Sequence, residues 1–387
     1  MRPRLLPLAC LFSALAVSAP GSAATRKEAP KQDLRGKEAT KVPERDLAGD
    51  ITRRKAEKTE ERPALVYDQY RQGVELQVAS KRREQIETLQ KIIQLGPSEK
   101  EAPNLVFRLA ELYWEESKFF FFEANRKDDE IILARNAKNE TAVRQAQAEK
   151  KAALNKSETF QALAIDQYRT IVRKYPKYER MDEVLFFLGH NMWDSGKEKE
   201  AVTVYRKLIK DHKASRYLPD AWVAIGQYFF NNSQGKVSML EEALAAFQTA
   251  ATFTDSKVYG YALYMQAWCF FNLGDYRAAL DLFKAVVLFG ELQGKSDPRS
   301  TALSKEARKD YVVAYSRIGD VLGAKADFQK VGGDEHWWTM LKGLANIYYG
   351  DGKDKEATLI YNQMKNERPL SPEAPFFQGR IVDCVMR

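Results

Sequence analysis

The sequence is poor in the residues that carry chemistry. Its 387 residues hold only 3 histidines and 3 cysteines. Cys10 lies in an N-terminal leader, which leaves Cys269 and Cys384, so no disulfide framework is expected to hold the fold. Cys269 sits in the apolar stretch YMQAWCFFN, where burial is a better reading than redox work. His190, His212 and His336 stand far apart, with no acidic or cysteine partner at metal-ligand spacing. No phosphate-cradling loop and no nucleophile–base constellation can be read. Gly332-Gly333 and Gly350-Asp351-Gly352 read as turns between helices. A dense block of one charge is missing too. The 61 Lys+Arg are dispersed among 53 Asp+Glu, which argues against a nucleic-acid footprint despite a net charge of +8. Beyond the leader no apolar run is long enough to span a membrane. These absences point away from an enzyme, a metal centre or a cofactor.

What is present is order. Hydrophobic residues make up 44% and aromatics 11%, too many for a disordered chain. Residues 1–24 read as a secretory signal peptide: Arg2 and Arg4, an apolar stretch over 5–17, then small residues over 21–24 for cleavage. An uncleaved anchor is the alternative. Cys10 comes too early for lipidation, with Pro7 three positions before it. The expected destination is an exported compartment, the bacterial periplasm. Residues 25–63 are almost all charged or small and read as a flexible linker, or else as an arm that folds on a partner.

Residues 64–387 carry a repeating helical pattern. It is clearest over 218–254, where Trp222, Ile225, Gly226 and Phe229 share one helical face and Ala243, Phe247 and Ala250 share another. Small residues at Gly226 and Ala243 allow the two helices close approach. Such a pair cannot bury its stripe alone and needs stacked copies. Equivalent alanines recur at 164, 201, 243, 279, 324 and 357. Residues 67–95 read as a degenerate first unit with a polar outer face. The second unit is interrupted by a polar insertion, about 125–158, expected to extend both helices into a hairpin turning near Asn139-Glu140-Thr141. Where the hairpin leaves the body, Phe119, Phe120, Phe121 and Phe122 cover all sides of a helix. They either pack on the extended second helix or meet a partner. An eighth unit begins at Pro372-Glu373-Ala374-Pro375.

At these positions the chain resembles the tetratricopeptide-repeat family. Trp222-x2-Ile225-Gly226-x2-Phe229 with Ala243-x3-Phe247-x2-Ala250 matches its pattern, as does Leu341-x2-Leu344-Ala345-x2-Tyr348 with Ala357-x3-Tyr361 and Pro369. An exported array opening with FRLAELYWEESK is also similar to envelope repeat proteins of gliding-motility complexes. It is similar, more distantly, to those serving outer-membrane assembly or septal peptidoglycan synthesis. The resemblance implies an all-α, right-handed α-α solenoid of about seven helix pairs that acts as a protein–protein scaffold in the cell envelope. It also implies that first helices line a concave groove. There Trp114, Trp193, Phe230, Phe271 and Tyr349 recur in phase, with Trp268 and Asn272 beside them. Such rings either seat a peptide or pack on the next unit. Lys342 and Asn346 resemble two members of the family's carboxylate clamp. Phe120 and Phe121 are candidates for a second contact. Envelope proteins or peptides are the expected partners. The rival expectations are a helical region ahead of a peptidoglycan-cleaving domain, and a solenoid that binds glycan strands on the same aromatic column.

Overall fold

The computed structural model describes residues 64–294 and 297–387. The expected leader and the linker lie outside the described residues. The chain divides into two compact units, residues 1–81 and 82–387, and the described part of the first is the start of helix α1. Thirteen helices and no strand occur among the described residues. They are α1 (Ala64–Gln94), α2 (Ala102–Asn136), α3 (Glu140–Lys174), α4 (Met181–Asp194), α5 (Glu198–Asp211), α6 (Leu218–Asn232) and α7 (Val237–Ala250). They continue as α8 (Tyr259–Leu273), α9 (Tyr276–Gln293), α10 (Pro298–Ile318), α11 (Ala324–Gly350), α12 (Asp354–Glu367) and α13 (Ala374–Met386).

Local chemistry sets the boundaries. Proline occupies the first turn of α2, α6, α10 and α13, where its missing N–H costs nothing. Asn139, Asp275 and Asp297 cap α3, α9 and α10 by accepting backbone N–H bonds at 3.0–3.1 Å. The turns from first to second helix pass through Gly196, Gly235, Gly274 and Gly352, with φ between +71° and +87°. That left-handed region penalises any Cβ, which is why the turns recur on glycine.

Packing is sequential. Within residues 82–387 each helix packs chiefly on its neighbours in the chain, the signature of a helical solenoid. The six recurring alanines are fully buried, and so are the aromatics four residues on: Tyr168, Tyr205, Phe247, Phe283, Phe328 and Tyr361. Each ring sits against its own first helix. A Cβ added at Gly189 would meet Tyr205 at 2.6 Å, and one at Gly226 would meet Phe247 at 2.8 Å. Removing the Cβ is what lets a ring fill the interhelical space.

Three features depart from the simple repeat. Residues 67–95, read as a repeat unit, form part of the single uninterrupted helix α1 instead of a pair. No proline or turn dipeptide breaks this stretch, so the chain has no place to reverse. The described residues therefore hold six complete pairs, flanked by α1 and α13. The C-terminal half of α1 is pinned by two ion pairs to Glu116 of α2, whose side chain is fully buried: Arg82 at 2.9 Å and Arg83 at 2.7 Å.

The second departure is length. Helices α2 and α3 each run 35 residues, against 14 for α4, α5 and α7. The turn between them falls at residues 137–139, within two residues of the expected place. Ile131, Val143 and Ala146 make a small core near the tip. Lys127–Glu149 and Lys150–Asp128 bridge the two helices at 2.8 and 2.6 Å. Nearer the body, the Ser157 hydroxyl donates to the Ser117 carbonyl at 2.9 Å.

The third departure is in α11, which joins the second helix of one pair to the first helix of the next. The join is a kink at Gly333, with φ 58° and ψ −167°. That conformation is open to glycine and to little else.

Candidate functional site: the face of the first helices

Successive first helices meet each other side by side, and Trp114, Lys342 and Tyr349 of the expected groove take part in these contacts. On α2, the Trp114 ring lies 6.5 Å from Phe187 and edge-on to His190 at 5.9 Å, both on α4. Lys118 reaches Asp194 of α4 at 2.7 Å, and Asp194 stands 3.9 Å from His190. Between α4 and α6, Phe186 stacks on Tyr217 at 4.4 Å, and the Tyr217 hydroxyl donates to Glu183 at 2.9 Å. Gln227 of α6 donates to the Tyr261 hydroxyl of α8. Tyr264 of α8 donates to the Asp310 carboxylate of α10 at 2.5 Å. At the far end Lys342 pairs with Glu373, and the Tyr349 hydroxyl donates to Asp383 at 3.2 Å.

Burial controls the electrostatics of this face. It pushes the Asp310 carboxyl up to about 6, against the opposing pull of hydrogen bonds from Tyr264 and Trp268. It likewise pushes Asp220 up to about 6, with only Lys257 to offset it by charge. Glu111 is raised for the same reason, partly offset by Arg108. Burial lowers His190, while Asp194 opposes that shift. The phenols of Tyr261 and Tyr264 are pushed up, the second with help from Asp310.

The candidate residues fall into distinct environments. Trp193, Phe230 and Trp268 are buried. Trp268 is held edge-on by Phe271 at 5.2 Å and Phe283 at 5.7 Å. Trp114, Phe271 and Tyr349 are half-buried. Asn272 is exposed, but its amide donates to the Trp268 carbonyl at 2.7 Å. The two clamp-like residues are engaged inside the chain: Lys342 with Glu373, and Asn346 as acceptor from Tyr361 at 2.8 Å. A peptide carboxylate would have to displace Glu373 from Lys342. Tyr349 lies under two guanidinium groups, Arg380 at 4.2 Å and Arg387 at 4.1 Å. On the hairpin, Phe120 stacks on Phe160 of α3 at 5.7 Å, with Lys156 and Arg83 over its ring. Phe121 and Phe122 are exposed.

Asp310 and Glu373 are the functional-looking residues that sequence reasoning missed. The unit holding Asp310 keeps little of the repeat pattern, so its first-helix register was not readable. Glu373 stands in the Pro-Glu-Ala-Pro motif that marks the start of α13, and that motif was the available signal. No group of three or more His, Cys, Asp or Glu is placed to hold a metal among the described residues.

Residues 261–288, in α8 and α9, match the tetratricopeptide-repeat family. The chain thus carries a tetratricopeptide repeat over these residues. No curated protein sequence matches it. Among solved structures it is similar to BtubC from P. vanneervenii, at 14% identity and TM-score 0.37, over 55% of this chain and 89% of that one. It is also similar to the C-terminal part of a TPR repeat-containing protein from Cytophaga hutchinsonii, at 14% identity and TM-score 0.32, over 70% of this chain and 98% of that one.

Proposed function

We propose that this tetratricopeptide-repeat protein is an exported scaffold of a cell-envelope complex, docking peptide or protein segments on the face of its first helices. The repeats support a protein–protein interaction role. The observation that carries the docking site is the row of half-buried rings, Trp114, Phe271 and Tyr349, on helices already joined side by side. Half-buried aromatic rings supply large contact area at small entropic cost. The exposed Phe121 and Phe122 make the hairpin a second contact. Export rests on the leader over residues 1–24. A gliding-motility complex is the setting that the sequence resemblance suggests.

Crosslinking capture from intact envelopes tests this. The full chain is compared with a Trp114→Ala/Phe271→Ala/Tyr349→Ala variant, both first shown helical by circular dichroism. The half-buried rings are chosen because truncating Trp193, Phe230 or Trp268 would open cavities. Loss of a defined set of envelope proteins in the variant supports the reading. Equal capture removes the face from consideration. Retention on purified peptidoglycan that the variant loses would instead favour glycan strands as the ligand.

A further inference from the structure

Among the described residues a tyrosine hydroxyl donates to a carboxylate at four places, and three of those carboxylates also hold a cation. Tyr217 donates to Glu183 at 2.9 Å, with Arg216 3.3 Å from the same carboxylate and 4.8 Å from the centre of the Tyr217 ring. Tyr315 donates to Asp327 at 2.9 Å, with Lys330 at 3.2 Å. Tyr349 donates to Asp383 at 3.2 Å, with Arg380 3.8 Å from that carboxylate and 4.2 Å from the ring centre. The fourth bond, Tyr264 to Asp310 at 2.5 Å, has no such cation among the described residues. The nearest cations in the sequence are engaged elsewhere: Arg308 with Glu291 at 3.2 Å and Lys309 with Glu306 at 2.8 Å.

The surroundings of Asp310 suit a cation. The Trp268 indole donates to the same carboxylate. Tyr264, Trp268 and Phe271 follow one another by a turn each, on one face of α8. Phe271 lies edge-on to Trp268 at 5.2 Å. Trp268 is buried, while Asp310, Tyr264 and Phe271 are half-buried, so the carboxylate and the rings meet at the margin of solvent. Glu306 adds negative charge nearby, and Lys309 offsets it only from a distance. Burial pushes the Asp310 carboxyl up to about 6, so at neutral pH the group is ionised yet poorly solvated. Such a carboxylate is stabilised by a cation set against it, and aromatic faces add a further attraction.

We propose that Asp310, with the rings of Tyr264, Trp268 and Phe271, binds a lysine or arginine side chain of the segment that docks on the first helices. The partner segment is basic at the position that lies against α8 and α10. Its cation takes the place that Arg216 and Arg380 fill beside Glu183 and Asp383. The inference rests on the docking role proposed above and names the chemistry of the ligand.

The test titrates two pentapeptides with blocked ends into the isotope-labelled full chain. One has lysine between pairs of alanines, and the other has norleucine in place of the lysine. The readout is the NMR signal of the Trp268 indole N–H, assigned by its loss in Trp268→Phe. A saturable shift is expected with the lysine peptide. Norleucine, of similar length and without charge, should weaken binding at least tenfold, and so should Asp310→Asn. That variant keeps an acceptor for Tyr264, and circular dichroism checks its fold. Glu242→Gln removes an exposed carboxylate on α7 and should leave the titration unchanged. Absence of a saturable shift overturns the proposal. So does binding that ignores norleucine or Asp310→Asn, or that Glu242→Gln weakens as much. A chain that fails this titration but loses envelope partners in the Trp114→Ala/Phe271→Ala/Tyr349→Ala variant keeps its docking face, and the basic ligand is refuted.

Discussion

Glycine at a helix crossing and glycine in open space carry opposite predictions. Gly226→Ala puts a methyl group 2.8 Å from the Phe247 ring, so the ring or the backbone must shift. Overpacking of this kind costs about 1–3 kcal/mol, and thermal unfolding should show a lowered Tm. Gly379→Ala meets nothing and should leave Tm unchanged or raised. An equal loss in both would refute the crossing argument. Gly226 was legible in the sequence because its neighbours at 222, 225 and 229 left one small position on a large face. Asp310 was not, because its significance comes from Tyr264, 46 residues away. Burial raises Asp310 from the ordinary 3.8 to about 6, so the folded chain binds this proton more tightly than the unfolded chain. The stability that the group contributes is fully present below 3.8 and is lost as pH rises through about 6. Asp310→Asn keeps an acceptor for Tyr264 and removes the titration. We expect the variant to be more stable than the parent at pH 7.5, by on the order of 1 kcal/mol, and to lose that advantage near pH 4. Denaturant unfolding at the two pH values measures this, and a variant with the parent's pH slope would refute it.

At the level of single helices, the consequential contact is the pair of arginines on Glu116. A fully buried carboxylate held by Arg82 and Arg83 fixes the C-terminal half of α1 to α2. Glu116→Ala leaves Arg82, itself largely buried, with Glu115 alone at 3.1 Å. Breaking a buried pair from one side costs about 3–5 kcal/mol. We therefore expect protease cleavage within residues 82–94 well before the rest of the chain is cut. Unchanged proteolysis would mean that α1 is held by other contacts. Nothing in the sequence distinguishes Glu116 from Glu111 or Glu115, since all three lie within two turns of one helix. The hairpin, by contrast, was readable: a polar insertion rich in helix formers has to leave the body, and Asn139 marks its turn.

Over the molecule as a whole, packing between chain neighbours makes stability a sum of local terms. Hydrogen exchange should be slowest in α6 through α9, where both flanks are covered, and fastest in α13 and at the hairpin tip. Uniform protection would contradict a linear array. The regular pairs announced themselves through the alanine-x3-aromatic repeat, which answers to one packing contact made six times. The ends did not. The same polar substitutions in residues 67–95 suit a capping pair or a lone helix, and only the absence of a chain reversal decides between them.

The hairpin has a further consequence, for how a partner is captured. Its helices have 35 residues where the body's have 14, an excess of about 30 Å at 1.5 Å per residue. Mobile ions damp electrostatic attraction over about 8 Å at physiological salt. The ladder of Lys127, Glu130, Asp128, Glu149 and Lys150 toward the tip thus lies beyond the electrical reach of the main stack. A molecule approaching the tip senses only the tip, and the array has two recognition zones that ionic strength can tune independently.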